Sequence, residues 1–348
     1  MGKIAMRLRP AFCEALLFGS LLITVNAYAG EERDSLEWLK FVVSATHQTN
    51  YTGVFVYQHD NRVETSRIIH IVEPDSEYEK LESLDGPKHE IILHHGQVWC
   101  YINQKMEQVD SRQGRTRFLS LQPEHLSELS ANYRIKKAGV ERVAEHDAQV
   151  IMFQPKDNLR YVHKIWVHMD SGLLLKAAVL SDKHKLVEQY AFTQLQIGGD
   201  IDRSWIDNIA SKANSTSGTP NSGQDASVGS RSTDLHASPG ISQGGKSVNS
   251  GWVVNALPAG FKKTKEIQRP MRGKHAPVTQ LVFSDGLSAI SVFIEPADGD
   301  ADDVEGLSSR GAVNLYHKVV DKYLYTVVGE VPPHTVMQVF DSIRHSGE

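Results

Sequence analysis

Histidines are the residues of this sequence whose spacing most invites a metal-site interpretation. The chain contains sixteen of them, and His89 to His94 resembles the helical zinc-protease motif with one residue too many. Residues five apart on a helix point about 140° from each other, so these two could not share one metal ion. The segment is predicted to be a strand without a metal. His163 and His168, five apart on another strand, are predicted to be surface or edge residues.

The acidic residues Asp298, Asp300 and Asp302 have the alternating spacing of a calcium-binding loop. Such a loop needs a glycine at its sixth position and a glutamate at its twelfth, where this chain has Asp303 and Ser309. A solvated acidic loop is therefore favoured over a calcium site.

The sequence gives no motif of covalent chemistry in a strand-to-helix setting. The strings G-x-S-x-G at 240–244 and G-x-x-x-x-G-K-S at 240–247 lie in the polar segment predicted to be a linker, and no dinucleotide-binding glycine pattern occurs. The net charge of -5 argues against nucleic acid as the main partner. We therefore predict a protein that acts by binding, not an enzyme, with no catalytic residue, cofactor or metal.

The first 29 residues have the features of a secretory signal peptide. Lys3, Arg7 and Arg9 precede an apolar run over 15–25, and Ala-Tyr-Ala at 27–29 forms a small-x-small cleavage site. The apolar run is shorter than the roughly 20 residues that span a bilayer as a helix. We expect export and a soluble mature protein; the alternative is an uncleaved membrane anchor.

Residues 30–203 are predicted to form a β-rich α+β domain. A helix over Ser35–Thr46 should be capped by Asp34 with Glu37 in a capping box, and another helix should begin near Pro123. Regularly spaced strands joined by short turns indicate a curved antiparallel sheet, or half-barrel, with helices over one face.

A linker and a small domain follow. Residues 204–250, rich in Ser, Gly, Asn and Thr, are predicted to be flexible. Residues 251–346 should form a small α+β domain with a hairpin turn at Ser284-Asp285-Gly286 and a final helix after Pro332-Pro333.

Two sets of residues suggest binding sites. Aromatic strand residues could line an apolar cavity for an acyl chain or an extended peptide, although they would equally suit a core: Phe55, Tyr57, Trp99, Tyr101 and Trp166. A basic cluster in the small domain could receive an acidic protein segment or an anionic lipid head group, although it would equally suit a solvated surface: Lys262, Lys263, Lys265, Arg269, Arg272 and Lys274.

Several segments in one order resemble the RseB/MucB family of sigma-E regulatory proteins. They are Tyr51–Tyr57, His163–Val167 leading into Asp170–Lys176, and Gly251–Val254 followed by Leu257–Phe261. The resemblance covers nearly the whole chain after residue 29.

The resemblance implies a periplasmic negative regulator of the envelope stress response. Such a protein binds the periplasmic domain of a membrane anti-sigma factor of the RseA/MucA type and shields it from proteolysis. The large domain is implied to have the half-open fold of the lipoprotein carriers LolA and LolB, and to take up a lipid or lipopolysaccharide-like ligand that causes release. The family also implies a homo-oligomer. The alternative is a periplasmic lipid or lipoprotein carrier of the LolA type.

Overall fold

The computed structural model describes residues 34–94, 97–102, 105–109, 126–206, 246–270, 276–297 and 305–346. The predicted signal peptide, the helix start at Pro123, the acidic residues 298–303, and the basic residues Arg272 and Lys274 lie outside these ranges. Within them, no helix is both long enough and apolar enough to cross a membrane.

Eleven antiparallel strands form one sheet in the first part of the chain, in the order β6-β5-β4-β3-β2-β1-β11-β10-β9-β8-β7. Two meanders meet where β1 pairs with β11, and the sheet stays unclosed because β6 and β7 are its edges. The strands are β1 (Tyr51–His59), β2 (Arg62–Glu73), β3 (Ser76–Ser83), β4 (His89–His94), β5 (Gln97–Ile102), β6 (Lys105–Val109), β7 (Tyr133–Val143), β8 (His146–Pro155), β9 (Val162–His168), β10 (Leu174–Leu180) and β11 (Leu186–Ile197).

Helix α1 (Ser35–Thr46) covers one face of this sheet, with the predicted bounds. The carboxylate of Asp34 accepts a hydrogen bond from the backbone N–H of Glu37 at 2.8 Å, and the Glu37 carboxylate accepts one from the N–H of Asp34 at 3.0 Å. This capping box satisfies two donors of the first turn. Together with α2 (Leu126–Asn132), the helix shares a core with strands β7 to β10, made of Trp38, Leu39, Val42, Leu129, Tyr133, Ile151, Phe153, Ile165, Val167, Leu174 and Ala177.

The segment after β11 returns to the other side of the sheet. Ile201 and Trp205 are buried against Ile71 and Ile92, and the Trp205 indole N–H donates to the backbone carbonyl of Asp202 at 3.1 Å. The first folded part therefore extends through residue 206, beyond the predicted linker start at 204, because one tryptophan in a polar segment packs on the sheet. We call residues 34–206 the large domain.

The second part of the chain, here called the small domain (residues 246–346), contains a seven-stranded sheet in the order β12-β14-β15-β16-β19-β18-β17 and a two-stranded sheet of β13 and β20. It begins by Lys246, before the predicted residue 251, because β12 pairs with β14. Its elements are β12 (Lys246–Ser247), β13 (Trp252–Val254), β14 (Lys262–Arg269), β15 (Val278–Ser284), β16 (Ala289–Pro296), β17 (Glu305–Arg310), β18 (Val313–Val320), β19 (Tyr323–Gly329), α3 (Pro333–Asp341) and β20 (Ile343–His345).

Helix α3 packs on one face of the small sheet. Val336 and Val339 of the helix are buried with Leu281, Val292 and Val327 of the strands. Proline at the first helical position costs no hydrogen bond, because the first N–H groups of a helix have no intrahelical acceptor. The fold class, a β-rich α+β chain with a large unclosed sheet and a small second domain, is confirmed.

The capping box gives a direct test of how α1 is held. Asp34→Ala removes the carboxylate that accepts from Glu37, so we expect the free energy of unfolding to fall by about 1 kcal/mol. Lys40→Ala, at an exposed site on the same helix, should cause no loss, since alanine is the best helix former. Urea denaturation of both variants measures this, and equal stability of the two would contradict the capping role.

Candidate functional site

A row of aromatic side chains runs along the inner strands of the large sheet. The Tyr57 and Tyr190 rings stack with centroids 4.3 Å apart, and Phe192 meets Phe55 at 6.0 Å and Tyr51 at 6.1 Å, both edge to face. All five residues are buried. Tyr51, Phe55 and Tyr57 share this face because side chains alternate along β1. We call these five residues the aromatic row.

Gly53 lies on β1 between Tyr51 and Phe55. A Cβ at this position would lie 2.6 Å from the carbonyl oxygen of Gln194 and 2.8 Å from the ring of Phe192. Real Cβ atoms do not approach neighbours so closely, so the glycine allows the ring of Phe192 to lie directly against the β1 backbone.

Trp99 and Tyr101, which were also predicted to line the cavity, do not lie on this face. Residues that pair directly across neighbouring strands share a face of the sheet. Trp99 is linked in this way, through Ile92, Lys80 and Ile69, to Thr52 of β1. Thr52 points to the face opposite to that of Phe55. Trp99 and Tyr101 pack instead with Trp205. The structure therefore brings Phe55, Tyr57 and Trp166 into one buried cluster and places Trp99 and Tyr101 against another, because alternation within a strand can be deduced from sequence but the register between strands cannot.

Trp166 belongs to the same buried cluster as the aromatic row, although its side chain leaves β9 on the face opposite to that of Ile165. Its neighbour Ile165 pairs with Ala177, which pairs with Tyr190, which pairs with Tyr57, so Ile165 and Tyr57 share a face. Successive side chains of a strand point to opposite faces, so Trp166 leaves β9 on the other face. Trp166 itself pairs with Lys176.

Charged side chains cover the indole of Trp166. The ammonium groups of Lys164 and Lys176 lie 4.4 and 4.5 Å from the ring centroid. Glu141 accepts hydrogen bonds from the indole N–H at 2.7 Å and from Lys164 at 3.1 Å, and these bonds lower the pKa of its carboxyl. Trp166 is thus buried, with its indole N–H satisfied by Glu141.

The predicted basic cluster is only partly exposed among the described residues. Lys262 and Lys263 are exposed on β14, but Lys263 forms an ion pair with Glu266 at 2.5 Å. That carboxylate also accepts from the N–H of Ser250 at 2.6 Å and from its hydroxyl at 2.7 Å. Arg269 is only 2% exposed, so the described residues of the cluster do not form one continuous basic surface.

A contact between the two domains brings together polar residues that sequence analysis missed. The carboxylate of Asp285, in the turn between β15 and β16, has no exposed surface. It accepts hydrogen bonds from Arg160 Nε at 2.6 Å and from the Tyr133 hydroxyl at 3.0 Å. Its other oxygen accepts from the backbone N–H groups of Leu287 at 3.0 Å and Ser288 at 2.8 Å.

Arg160 is the centre of this contact on the large-domain side, in the loop between β8 and β9. Its guanidinium is fully buried and also donates to the carboxylate of Asp157 and to the backbone carbonyl of Ala259. Burial alone would lower its pKa, but the hydrogen bond to Asp285 and the surrounding negative charge raise it. Burial and the Asp285 charge also raise the pKa of the Tyr133 hydroxyl well above its usual value. The arginine therefore stays charged and the tyrosine stays neutral.

The same turn inserts an apolar side chain into the large domain. Leu287 is buried in the core beneath α1, in one cluster with Trp38 and Leu39. The small domain thus supplies part of the large domain's hydrophobic core.

A second contact between the domains involves strands β11 and β2 of the large domain. The Glu188 carboxylate on β11 accepts from the Tyr57 hydroxyl at 3.0 Å and from the backbone N–H of Ala312 at 2.9 Å. Arg310 donates to Glu64 on β2 at 2.9 Å. Ala312 belongs to the turn between β17 and β18, so a different turn makes this contact.

Further hydrogen bonds lie between the two contacts. The buried Asn314 amide donates to the Tyr161 hydroxyl at 2.9 Å, and the Thr335 hydroxyl at the start of α3 donates to the carbonyl of Leu159 at 3.1 Å. The loop between β8 and β9 is therefore held along its length by the small domain.

His163 lies beside this interface. It was predicted to be a surface or edge residue, and this is wrong, since it is 4% exposed. Burial lowers its pKa to about 4, against the opposing effect of the Asp285 charge. The imidazole is therefore neutral near pH 7. Within the described residues, no group of three or more His, Cys, Asp or Glu side chains is arranged to hold a metal ion.

These features define a class of two-domain, β-rich proteins in which the small domain docks on the end of an unclosed, helix-covered sheet. Family profiles match the two parts separately: the MucB/RseB N-terminal domain matches residues 34–210, and the MucB/RseB C-terminal domain matches residues 246–344. The chain belongs to the MucB/RseB family.

Two curated relatives show how far this similarity extends. The sigma factor AlgU regulatory protein MucB of Pseudomonas aeruginosa is 30% identical over 334 residues, which cover 94% of this chain and 96% of the relative. The sigma-E factor regulatory protein RseB of Escherichia coli K12 is 25% identical, with 96% and 97% covered.

Solved MucB structures match the fold. MucB in complex with MucA(peri) gives a TM-score of 0.67 at 28% identity, and a Pseudomonas aeruginosa MucA/MucB complex gives 0.66 at 28% identity. A structure described only as MucB gives 0.59 at 27% identity. Each match covers 90% of this chain and 99% of the matched chain.

His163 should make the protein sensitive to acid. Because its pKa of about 4 in the fold lies below the ordinary value of 6.5, the unfolded chain binds the proton more tightly and stability falls as pH decreases through this range. From pH 7 to pH 5 we expect a loss of about 2 kcal/mol from this group. Thermal or urea unfolding at both pH values measures the loss, and His163→Leu should remove it. An unchanged pH dependence in that variant would refute this assignment.

Proposed function

We propose that this protein is a periplasmic regulator that binds the periplasmic region of a membrane anti-sigma factor. In this role it covers the anti-sigma factor, protects it from proteolysis and so keeps an envelope-stress sigma factor inactive. Residues 1–29 would direct its export. The observation that carries the proposal is the two-domain match to MucB over 94% of the chain, together with the fold match to MucB in complex with MucA(peri).

A regulator of this kind needs a binding surface and not a reaction centre, and the arrangement of the described residues suits that need. The most deeply buried polar groups hold the two domains together, with Asp285 and Arg160 as their centre. A small domain fixed in this way presents one continuous surface with the large domain, which a partner could contact on both sides. A carrier of the LolA type would leave the small domain without a role.

We further propose that a lipid-like ligand binds the large domain and weakens partner binding. A ligand releases a partner only by its differential affinity for the two states. A tenfold change corresponds to about 1.4 kcal/mol, and burial of an acyl chain supplies about 0.8 kcal/mol per CH₂ group. Two buried CH₂ groups would therefore suffice. Phe55 and Tyr57 remain candidates for this ligand site, since they lie on the helix-covered face.

Partner capture is the primary test. The purified protein mixed with the periplasmic segment of an anti-sigma factor of the MucA type should form a complex that is stable to size-exclusion chromatography with light scattering, which also reports any homo-oligomer. The bound segment should be cleaved more slowly by the protease that attacks it first. Acyl-chain binding without capture or protection would favour the carrier and overturn the regulator.

The basic strand β14 gives a test of where the partner lies. If its lysines face an acidic partner segment, Lys262→Glu should raise the Kd several-fold through like-charge repulsion, and more strongly at low salt. Lys40→Glu, an equal charge change at an exposed site on α1, is the matched control. Identical Kd values for the two variants, by calorimetry, would remove β14 from the partner surface.

A further inference from the structure

Two turns of the small domain contact different parts of the curved large sheet. Asp285 and Leu287 reach Tyr133 at the start of β7, the loop between β8 and β9, and the core beneath α1. Arg310 and Ala312 reach β2 and β11. The sheet order β11-β10-β9-β8 places two strands between β11 and β8. The small domain therefore reaches across the edge of the half-barrel from β11 to β8.

The small domain fixes the spacing between these two contacts. The turns that make them close the hairpins β15–β16 and β17–β18, and both hairpins are tied to β19, because Ile290 and Asn314 both pair with Gly329. A hydrogen-bonded sheet of this kind moves as one body. Both contacts can therefore be made together only at one curvature of the large sheet.

We propose that these two turns form a clamp that holds the small domain in the arrangement that binds the partner, and that a change in the curvature of the large sheet opens the clamp. This inference rests on the proposed function. The positioning residues of the clamp are Asp285 and Leu287 at its first point of contact, and Arg310 and Ala312 at its second. Anything that takes the space of Leu287 beneath α1 breaks the first point directly.

The chemistry of the clamp suits a contact that must open. A buried ion pair gains little net stability, because removing both charges from water offsets most of their attraction. When the clamp opens, Arg160 and Asp285 both regain water. When only one partner is deleted, the other is left buried without its counter-charge, which is strongly unfavourable. Single deletions should therefore drive the domains apart.

The fold matches to partner-bound relatives include both domains, since they cover 90% of this chain. The two MucB complexes match this chain with TM-scores of 0.66 and 0.67. We therefore take the docked form as the partner-binding form.

The test compares Asp285→Ala, Arg310→Met, and the double variant in the purified protein. Small-angle X-ray scattering reports domain separation, and amide hydrogen exchange reports protection of residues 157–161 and 285–288. Calorimetry with a MucA-type periplasmic segment gives the Kd. Each single variant should increase the radius of gyration and the exchange, and should raise the Kd at least tenfold.

The double variant and two controls sharpen the result. A clamp is open once either contact is lost, so the Kd of the double variant should stay within about threefold of the Kd of the weaker-binding single variant. If the two contacts acted independently, their fold-increases in Kd would multiply. Asp285→Asn keeps an oxygen acceptor for Tyr133 and Arg160, so it should lose less than Asp285→Ala. Glu82→Gln, which removes an ion pair with Arg67 away from the clamp, should bind like the original protein.

The outcomes separate the clamp from the proposed function. If the original protein does not bind the segment, the proposed function fails, while scattering and exchange still decide whether the turns hold the domains. Unchanged scattering and exchange in Arg310→Met and Asp285→Ala, with circular dichroism confirming both folds, would overturn the clamp. Open variants with an unchanged Kd would overturn the claim that the clamp holds the binding arrangement.

Discussion

The buried carboxylate of Asp285 is the group on which the docking of the small domain depends. A charge with no exposed surface must find hydrogen-bond donors and a counter-charge within the protein. Asp285 finds them in the hydroxyl of Tyr133, the guanidinium of Arg160 and two backbone N–H groups of its own turn. Two of these four donors belong to the large domain, so the carboxylate is satisfied only when the domains are docked.

This requirement organises the residues around it. The two bonds within the turn hold the backbone so that Leu287 projects into the core beneath α1. The guanidinium of Arg160 lies 5.1 Å from the centroid of the Phe261 ring, which adds a cation–π contact from the small domain. Polar and apolar contacts of one turn thus require the same position of the small domain, and a displacement that breaks one set breaks the other.

The features that could be predicted from the sequence are those that depend on residues close together along the chain. The capping box of Asp34 and Glu37 spans three residues and was predicted correctly. The face on which Trp99 lies depends on the register across four strand pairs, and the charge of Asp285 that acts on His163 comes from more than one hundred positions away in the sequence. No local pattern contains that information, and a polar loop residue such as Arg160 resembles any solvated arginine until its partner is placed.

The polar character of the interface distinguishes it from the cores on either side. Inside the small domain, Val336 and Val339 pack on Leu281 and Val292 without charged groups, so separating them would expose apolar surface to water at a large cost. Between the domains, Asp285, Arg160 and Glu188 exchange protein hydrogen bonds for water when they separate, and the net cost of that exchange is small. Separation would also expose Leu287, the one side chain that the small domain adds to the core beneath α1. Apart from that side chain, each unit keeps its own core, which is the property that a regulator needs if it is to change its surface without unfolding.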